Sequence, residues 1–337
     1  MGKNTIILAI ESSCDDTSAA VIINGKIASN IIATQKVHEA YGGVVPELAS
    51  RAHLQHIVPT VANALAQAQV QKNELSAVAF TQGPGLLGSL LVGTCFAKGL
   101  ALGLNIPLIE INHLQAHILA HFIDAPTPEF PMLCLTVSGG HTQIVRLDSH
   151  FEMHILGQTM DDAAGEAFDK IGKIMGLGYP AGAIIDALSA KGDADKFSFS
   201  EPQIPNYDFS FSGFKTSFLY FVQKETAKNE DFIAQNLNDL CASVQRSIVH
   251  ILMKKLQKAA QDTQIKHIAI AGGVSANGGL RKALHAAGEK NGWQTYVPAL
   301  EYCTDNAAMI AMAAHFKFEK NDFSTHYCAP NPRLKMS

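Results

Sequence analysis

The sequence has no Cys-x-x-Cys pair. Its six cysteines, at 14, 95, 134, 241, 303 and 328, are scattered, several inside apolar runs such as Met132-Leu133-Cys134-Leu135. That is the usage of a reducing cytosol and excludes a disulfide-stapled scaffold. Positive charge is not in excess either. Lys and Arg total 26 against 30 Asp and Glu, a net charge of −4 with a pI near 6.4. No global positive field is available to hold a polyanion, so any nucleic acid must be gripped by a local patch or with a partner's help. Thr5–Ile10 is too short for an apolar signal core and runs at once into Glu11 and two aspartates, so secretion is not expected. The most apolar stretch, Leu86 to Ile111, is broken by glycines, Lys98, Asn105 and Pro107, which suits a helix followed by a strand better than a membrane span. Neither a low-complexity tract nor a flexible linker divides the chain. These absences predict a cytoplasmic protein with no membrane attachment.

What is present is ordinary globular material. With 337 residues, 47% hydrophobic and 17% charged, the chain has room for about two domains and a sizeable core. Each half opens with a predicted hairpin. Residues 5–10 and 18–23 flank the acidic loop Glu11-Ser12-Ser13-Cys14-Asp15-Asp16-Thr17, and Met132–Val137 leads through Ser138-Gly139-Gly140-His141-Thr142 into Gln143–Leu147. Each half then repeats strand, glycine loop and helix: Ala77–Phe80 before Gly83-Pro84-Gly85, and His267–Ala271 before Gly272-Gly273. A short strand follows each helix, Pro107–Ile111 and Thr295–Pro298, and each feeds a polar turn carrying His113 in one half and Asp305 in the other. The duplication predicts an α/β fold of two hairpin-led lobes resembling the actin/sugar-kinase/Hsp70 (ASKHA) architecture, with His113 and Asp305 facing each other across a cleft. The expected lobes are residues 1–125 and 126–337, the second enlarged by a helical insertion at about 155–260.

Several motifs could carry chemistry. His113-Leu114-Gln115-Ala116-His117 sets two imidazoles at i and i+4 on one helical face, a spacing that fits two ligands of one transition metal and equally fits two surface or capping histidines. Glu110, Asn112, His121 and the symmetry-related Asp305 favour a His/His/Asp site. A zincin would need Glu directly after the first His, where Leu114 stands, so proteolysis by that route is disfavoured. In Thr136-Val137-Ser138-Gly139-Gly140-His141 the paired glycines could let backbone N–H groups approach an anion, or could simply serve a tight turn at positive φ. Ala271-Gly272-Gly273-Val274-Ser275-Ala276-Asn277 suits a nucleotide near a helix N-terminus. Neither loop has Walker or Rossmann spacing. Asp161 and Asp162 are explained as helix-capping acids. Asp169, with the Tyr179-Pro180-Ala181-Gly182 turn and Asp186, could bind ribose hydroxyls or could cap.

Taken in order, Glu11-Ser-Ser-Cys-Asp-Asp-Thr17, Tyr41-Gly-Gly-Val-Val-Pro-Glu-Leu-Ala-Ser-Arg51, Gly83-Pro-Gly-Leu86, His113-x3-His117, Val137-Ser-Gly-Gly-His141, Asp161-Asp-Ala-Ala-Gly-Glu-Ala-Phe-Asp-Lys170, Phe209-Ser-Phe-Ser-Gly213, Ala271-Gly-Gly-Val-Ser-Ala-Asn277 and Cys303-Thr-Asp-Asn306 resemble the bacterial tRNA N6-adenosine threonylcarbamoyltransferase family (TsaD). The resemblance spans nearly the whole chain. Asp16 stands where the family more often has Glu, and Ala181 where a glycine is frequent. The resemblance implies transfer of threonylcarbamoyl from threonylcarbamoyl-AMP to the N6 amine of the adenosine 3′ of the anticodon, in tRNAs reading codons that begin with A, with release of AMP. It implies one divalent metal per subunit on His113, His117 and Asp305, iron(II) foremost, with zinc or magnesium as alternatives. It further implies that Thr136, Val137, Ser138, Gly139 and Gly140 lie along the adenylate, that Asp169, Gly182 and Asp186 contact its ribose, and that Asn277 lies near the nucleotide. Asp15, Asp16 and His141 are candidates for proton transfer or orientation. Implied partners are tRNA, a TsaB-like dimerisation subunit and a small TsaE-like ATPase. Two rival readings are an ASKHA small-molecule kinase using ATP and Mg²⁺, which needs no His/His/Asp site, and a noncatalytic scaffold of the same fold.

Overall fold

Both predicted hairpins form. In the computed structural model, which describes residues 4–336, β1 (Ile6–Glu11) pairs antiparallel with β2 (Asp16–Ile23), which pairs with β3 (Lys26–Thr34). The turn into β3 is Asn24-Gly25, with φ of 50° and 79°; left-handed dihedrals at both central residues are what a two-residue hairpin needs to match strand twist. β4 (Ala77–Gly83) and β5 (Leu108–Asn112) extend this sheet in parallel, in the order β3-β2-β1-β4-β5. All six residues of β1 are buried, as expected of a central strand covered on both faces. Ile6, Leu8 and Ile10 pack with Ile57 and Val61 of α1 (Pro46–Gln67) and Ala97 and Ala101 of α2 (Leu87–Leu104). By length and composition α2 could cross a membrane; here it packs along β4 and α1, and β5 follows it as the sequence predicts.

The second sheet repeats the plan. β6 (Met132–Val137), β7 (Thr142–Leu147) and β8 (Met153–Gln158) form an antiparallel meander, while β9 (His267–Ala271) and β10 (Gln294–Tyr296) add in parallel, giving β10-β9-β6-β7-β8. Read from its meander edge, this is the order of the first sheet. Between β8 and β9 lie α4 (Ala164–Ile174), α5 (Ala181–Ser189), α6 (Ser212–Thr226) and the long α7 (Phe232–Thr263), within the region where the helical insertion is expected; α8 (Gly278–Asn291) follows β9. The core of this unit is rich in phenylalanine: Phe168, Phe209, Phe211, Phe214 and Phe218 are all fully or almost fully buried.

The chain order predicts one lobe over 126–337, and here the structure differs. One compact unit takes the residues up to Thr127 together with those from Pro298 onward, and the other is Pro128–Val297. The reason lies in the last helix, α9 (Ala307–Glu319), whose residues Ala307 to Ala314 are all buried. A helix apolar on every side must be enclosed, and α9 packs against β1, β2, β3, β5 and α3 (His113–Leu119) of the first unit. Its first turn is tied there by Ala307 N–H donating to Ser18 Oγ at 2.8 Å and Ala308 N–H to Asn30 Oδ1 at 3.3 Å.

Candidate active site

In the first unit the ends of β1 and β5 and the start of α9 supply the chemistry. Asn112 ends β5 and caps α3, its Oδ1 accepting from Leu114 N–H (2.9 Å) and Gln115 N–H (3.2 Å) while its Nδ2 donates to the Lys335 carbonyl (3.0 Å). That cap makes His113 the first helical residue and sets His117 one turn later, with ring centroids 4.7 Å apart and planes at 86°. Asn306 caps α9 by accepting from Met309 N–H, which holds Asp305 just ahead of the helix. Asp305 Oδ1 then lies 3.2 Å from His117 Nε2 and 3.4 Å from His113 Nε2. The expectation that His113 and Asp305 oppose each other from different lobes is corrected: all three donors belong to the first unit. Glu110 and His121 are not part of the cluster.

The donor set suits a metal ion. Two imidazole nitrogens and a carboxylate oxygen are ordinary ligands of divalent transition metals, and bonds of about 2.1 Å in tetrahedral arrangement separate donors by about 3.4 Å, close to the distances observed here. His117 Nδ1 is buried with no hydrogen-bond partner, so nothing else holds that ring's far edge. The electrostatics agree. Burial opposes ionisation of Asp305, yet His113 and His117 hold its carboxyl well below the usual range. Burial likewise disfavours a charged His113, but Asp305 and Glu11 together raise it well above an ordinary histidine. His117 is lowered, chiefly by burial.

The acidic loop is pinned by residues that spacing did not single out. Cys14 carbonyl accepts from His53 Nε2–H and from Ser89 Oγ, both at 2.9 Å, so His53 Nδ1 must accept from the Thr17 hydroxyl at 2.7 Å. Within the loop, Asp15 and Asp16 are half-buried. Burial, then the carboxylates of Asp305 and Asp15, pushes Asp16 up to about 7, and its Oδ1 is buried without a hydrogen-bond partner.

The remaining candidates lie in the second unit. Thr136 and Val137 end β6 in the core, and the turn closes by Ser138 N–H donating to the His141 carbonyl (2.8 Å) and His141 N–H to Ser138 Oγ (3.1 Å). The tight-turn explanation of the glycines does not hold, because neither Gly139 nor Gly140 has positive φ. Both are exposed, and a Cβ on either would meet open space. Gly165 of α4 does need its missing side chain: a Cβ there would sit 2.5 Å from the Ser138 carbonyl oxygen.

Asp169 accepts from Ala181 N–H at 2.8 Å and also from Gly182 N–H, which fastens the start of α5. Burial nevertheless raises its carboxyl. At the other end of α5, Asp186 Oδ2 accepts from Gly278 N–H at 2.9 Å, and Asn277 caps α8 through Leu280 N–H while donating Nδ2 to Gln245 Oε1. The structure thus brings Asp169 together with Gly182, and Asp186 beside Asn277. Gly182, like Gly273, has open space where a Cβ would point. Asp161 and Asp162 correct their expectation as caps of the helix they precede. α4 has no side-chain cap. Asp161 instead accepts from Phe211 and Ser212 N–H at the start of α6 and from Ser210 Oγ, and Asp162 pairs with Lys170 and Lys215.

Two α/β units with the same five-strand order, each opened by a hairpin whose loop carries polar groups, have the ASKHA fold. In keeping with that fold, component A of (R)-2-hydroxyglutaryl-CoA dehydratase from Acidaminococcus fermentans superposes with a TM-score of 0.55 at 17% identity, over 93% of this chain and 98% of that one. A sequence profile for tRNA N6-adenosine threonylcarbamoyltransferase, TsaD, matches residues 26–312. Proteins of that name from Riemerella anatipestifer and Christiangramia forsetii are 61% and 60% identical, the first over 99% of both chains and the second over 98% of both. The chain belongs to the TsaD family, and its activity is transfer of a threonylcarbamoyl group to N6 of a tRNA adenosine. The kinase alternative finds no support among these relatives.

Proposed function

We propose that the donor is threonylcarbamoyl-AMP and the acceptor the adenosine 3′ of the anticodon in tRNAs reading codons that begin with A. The N6 amine attacks the carbamoyl carbon, the bond from that carbon to the phosphate oxygen breaks, AMP leaves, and the amine loses a proton. His113, His117 and Asp305 hold a divalent metal, and the observation that carries this reading is the meeting of both Nε2 atoms on Asp305 Oδ1. Two histidines and one carboxylate with positions left open are the ligand set of non-haem iron(II), which favours iron over zinc or magnesium. When bound, the metal supplies Lewis-acid polarisation of the donor's oxygen.

The protein's own residues do the rest. The adenylate lies along 136–140, where the unobstructed glycines let backbone N–H groups approach its oxygens. Asp169, Gly182 and Asp186 contact the ribose and Asn277 lies near the nucleotide, so that positioning lowers the barrier for a weakly nucleophilic amine. Asp15, Asp16 and His141 are the candidates for proton transfer or orientation. The acidic balance requires help in gripping tRNA, which a TsaB-like dimerisation subunit and a TsaE-like ATPase provide. The protein works in the cytoplasm.

Reconstitution with threonylcarbamoyl-AMP, partner subunits and cognate tRNA, read by nucleoside mass spectrometry, is the direct test. Modified adenosine is expected, with no phosphorylation of sugars by the isolated chain; the reverse pattern would defeat the proposal. A calorimetric titration of Asp169→Ala checks the ribose contact. Loss of a hydrogen bond to a charged acceptor costs roughly 1.5–3 kcal/mol, a weakening of about tenfold or more, and unchanged affinity would leave Asp169 only the helix-fastening role.

A further inference from the structure

Glu11 has no assigned task, yet it is a fully buried carboxylate at the end of β1. Removing an ionised carboxyl from water is costly unless its oxygens are hydrogen-bonded and its charge is offset. Here Oε1 accepts from Ser13 N–H at 2.5 Å, while Oε2 accepts from the Thr81 hydroxyl at 2.5 Å and faces His113 Nδ1 at 3.1 Å. Thr81 lies on the neighbouring parallel strand β4, so two strands hold the carboxylate against the imidazole.

The chemistry of the contact is one-directional. An ionised carboxylate can only accept, so His113 must present Nδ1–H to it, and when a metal displaces the Nε2 proton the ring's lone pair is offered there. Nε2 is the atom aimed at Asp305 Oδ1. Ser13 Oγ also lies 3.2 Å from Nδ1, but a hydroxyl can donate or accept and so does not choose between tautomers. The other histidine has no such tether, its Nδ1 being buried and unpartnered. The geometry points to Glu11 as the positioning residue of the metal centre: through His113 Nδ1–H it selects the tautomer and fixes the ring so that Nε2 is presented to the ion. Thr81 and Ser13 hold Glu11 in turn. The assignment rests on the reading of His113, His117 and Asp305 as ligands, and it gives the first acid of the Glu11-Ser12-Ser13-Cys14 run a task different from proton transfer.

The test is metal binding by the isolated full-length chain, with Co²⁺ or Zn²⁺ alone as probe. Loss of a partner behind a metal-bound histidine typically lowers metal affinity 10–100-fold. Glu11→Gln is therefore expected to weaken Co²⁺ binding by that factor and to alter the cobalt absorption bands, with thermal unfolding recorded alongside. Thr81→Val, which leaves Glu11 in place with one donor fewer, should weaken binding in the same direction by a smaller factor. In the Zn²⁺-loaded native chain, ¹⁵N-histidine NMR should show His113 metallated at Nε2 with a hydrogen-bonded proton on Nδ1, a readout that needs no substitution. Metallation at Nδ1, or native cobalt affinity and bands in a folded Glu11→Gln variant, would overturn the role of Glu11 alone. Failure of the native chain to bind either metal would remove the ligand assignment and this inference with it.

Discussion

His117→Ala, reconstituted with threonylcarbamoyl-AMP, partner subunits and tRNA, should form about 1% or less of the modified adenosine made by the native chain. Lewis-acid stabilisation of a developing charge is worth several kcal/mol, and about 3 kcal/mol corresponds to two orders of magnitude in rate. The fold should survive. Among the described residues, the only hydrogen bond to His117's ring is with Asp305 Oδ1, which keeps His113 as a partner, and its Nδ1 has none to lose. Asp305→Ala should be as inactive but structurally harsher, because it leaves His113 and Glu11 as a buried pair with the ligand side open. Nucleoside mass spectrometry with metal analysis and a thermal melt separates these effects. Near-native transfer by a metal-depleted His117→Ala variant would show that the cluster has no part in the reaction.

The largest expected loss of stability comes from one methyl group. Gly272 has φ 84° and ψ 169°, a region essentially reserved for glycine, and a Cβ there would sit 2.5 Å from the Val137 carbonyl oxygen and 2.9 Å from its carbon. Neither the strand end nor the loop can yield cheaply, since Val137 closes β6 immediately before Ser138-Gly139-Gly140. Backbone strain of about 1–3 kcal/mol adds to overpacking of similar size, so Gly272→Ala should lose about 2–6 kcal/mol in urea unfolding. Because the displaced backbone leads into the loop proposed to lie along the adenylate, nucleotide affinity should fall as well. Gly273→Ala is the control: its φ is not positive and its Cβ would meet nothing within 4 Å, so stability should change by no more than about 0.5 kcal/mol. Equal stability of the two variants would contradict this account.

Local patterning carried much of the architecture. Alternating apolar runs and glycine loops set out the duplicated strand, loop and helix units, and the His113-x3-His117 spacing put two imidazoles on one helical face. β3 was not among the expected strands, although the Asn24-Gly25 pair that precedes it is a hairpin signal. A mixture of apolar and polar residues hid the third strand of the second meander: in Met153–Gln158 only Met153 and Gly157 are buried, Leu156 is half-buried and Ile155 is exposed. The capping reading of Asp161 failed for a related reason. Proximity in sequence favours the next helix, whereas the carboxylate found its donors about 50 residues away at Ser210–Ser212.

Periodicity and spacing are thus enough to specify two sheets of one plan, the helix that carries two imidazoles, and the motifs of the family. Which groups share a site was left to long-range packing. Asp305 joins His113 and His117 because a helix apolar on every side must be buried and its first turn finds acceptors on β2 and β3. Glu11 reaches His113 because parallel pairing of β1 with β4, and of β4 with β5, aligns their ends. Hydrogen-bond direction and burial depend on neighbours distant in the chain, and no local pattern of residues encodes them.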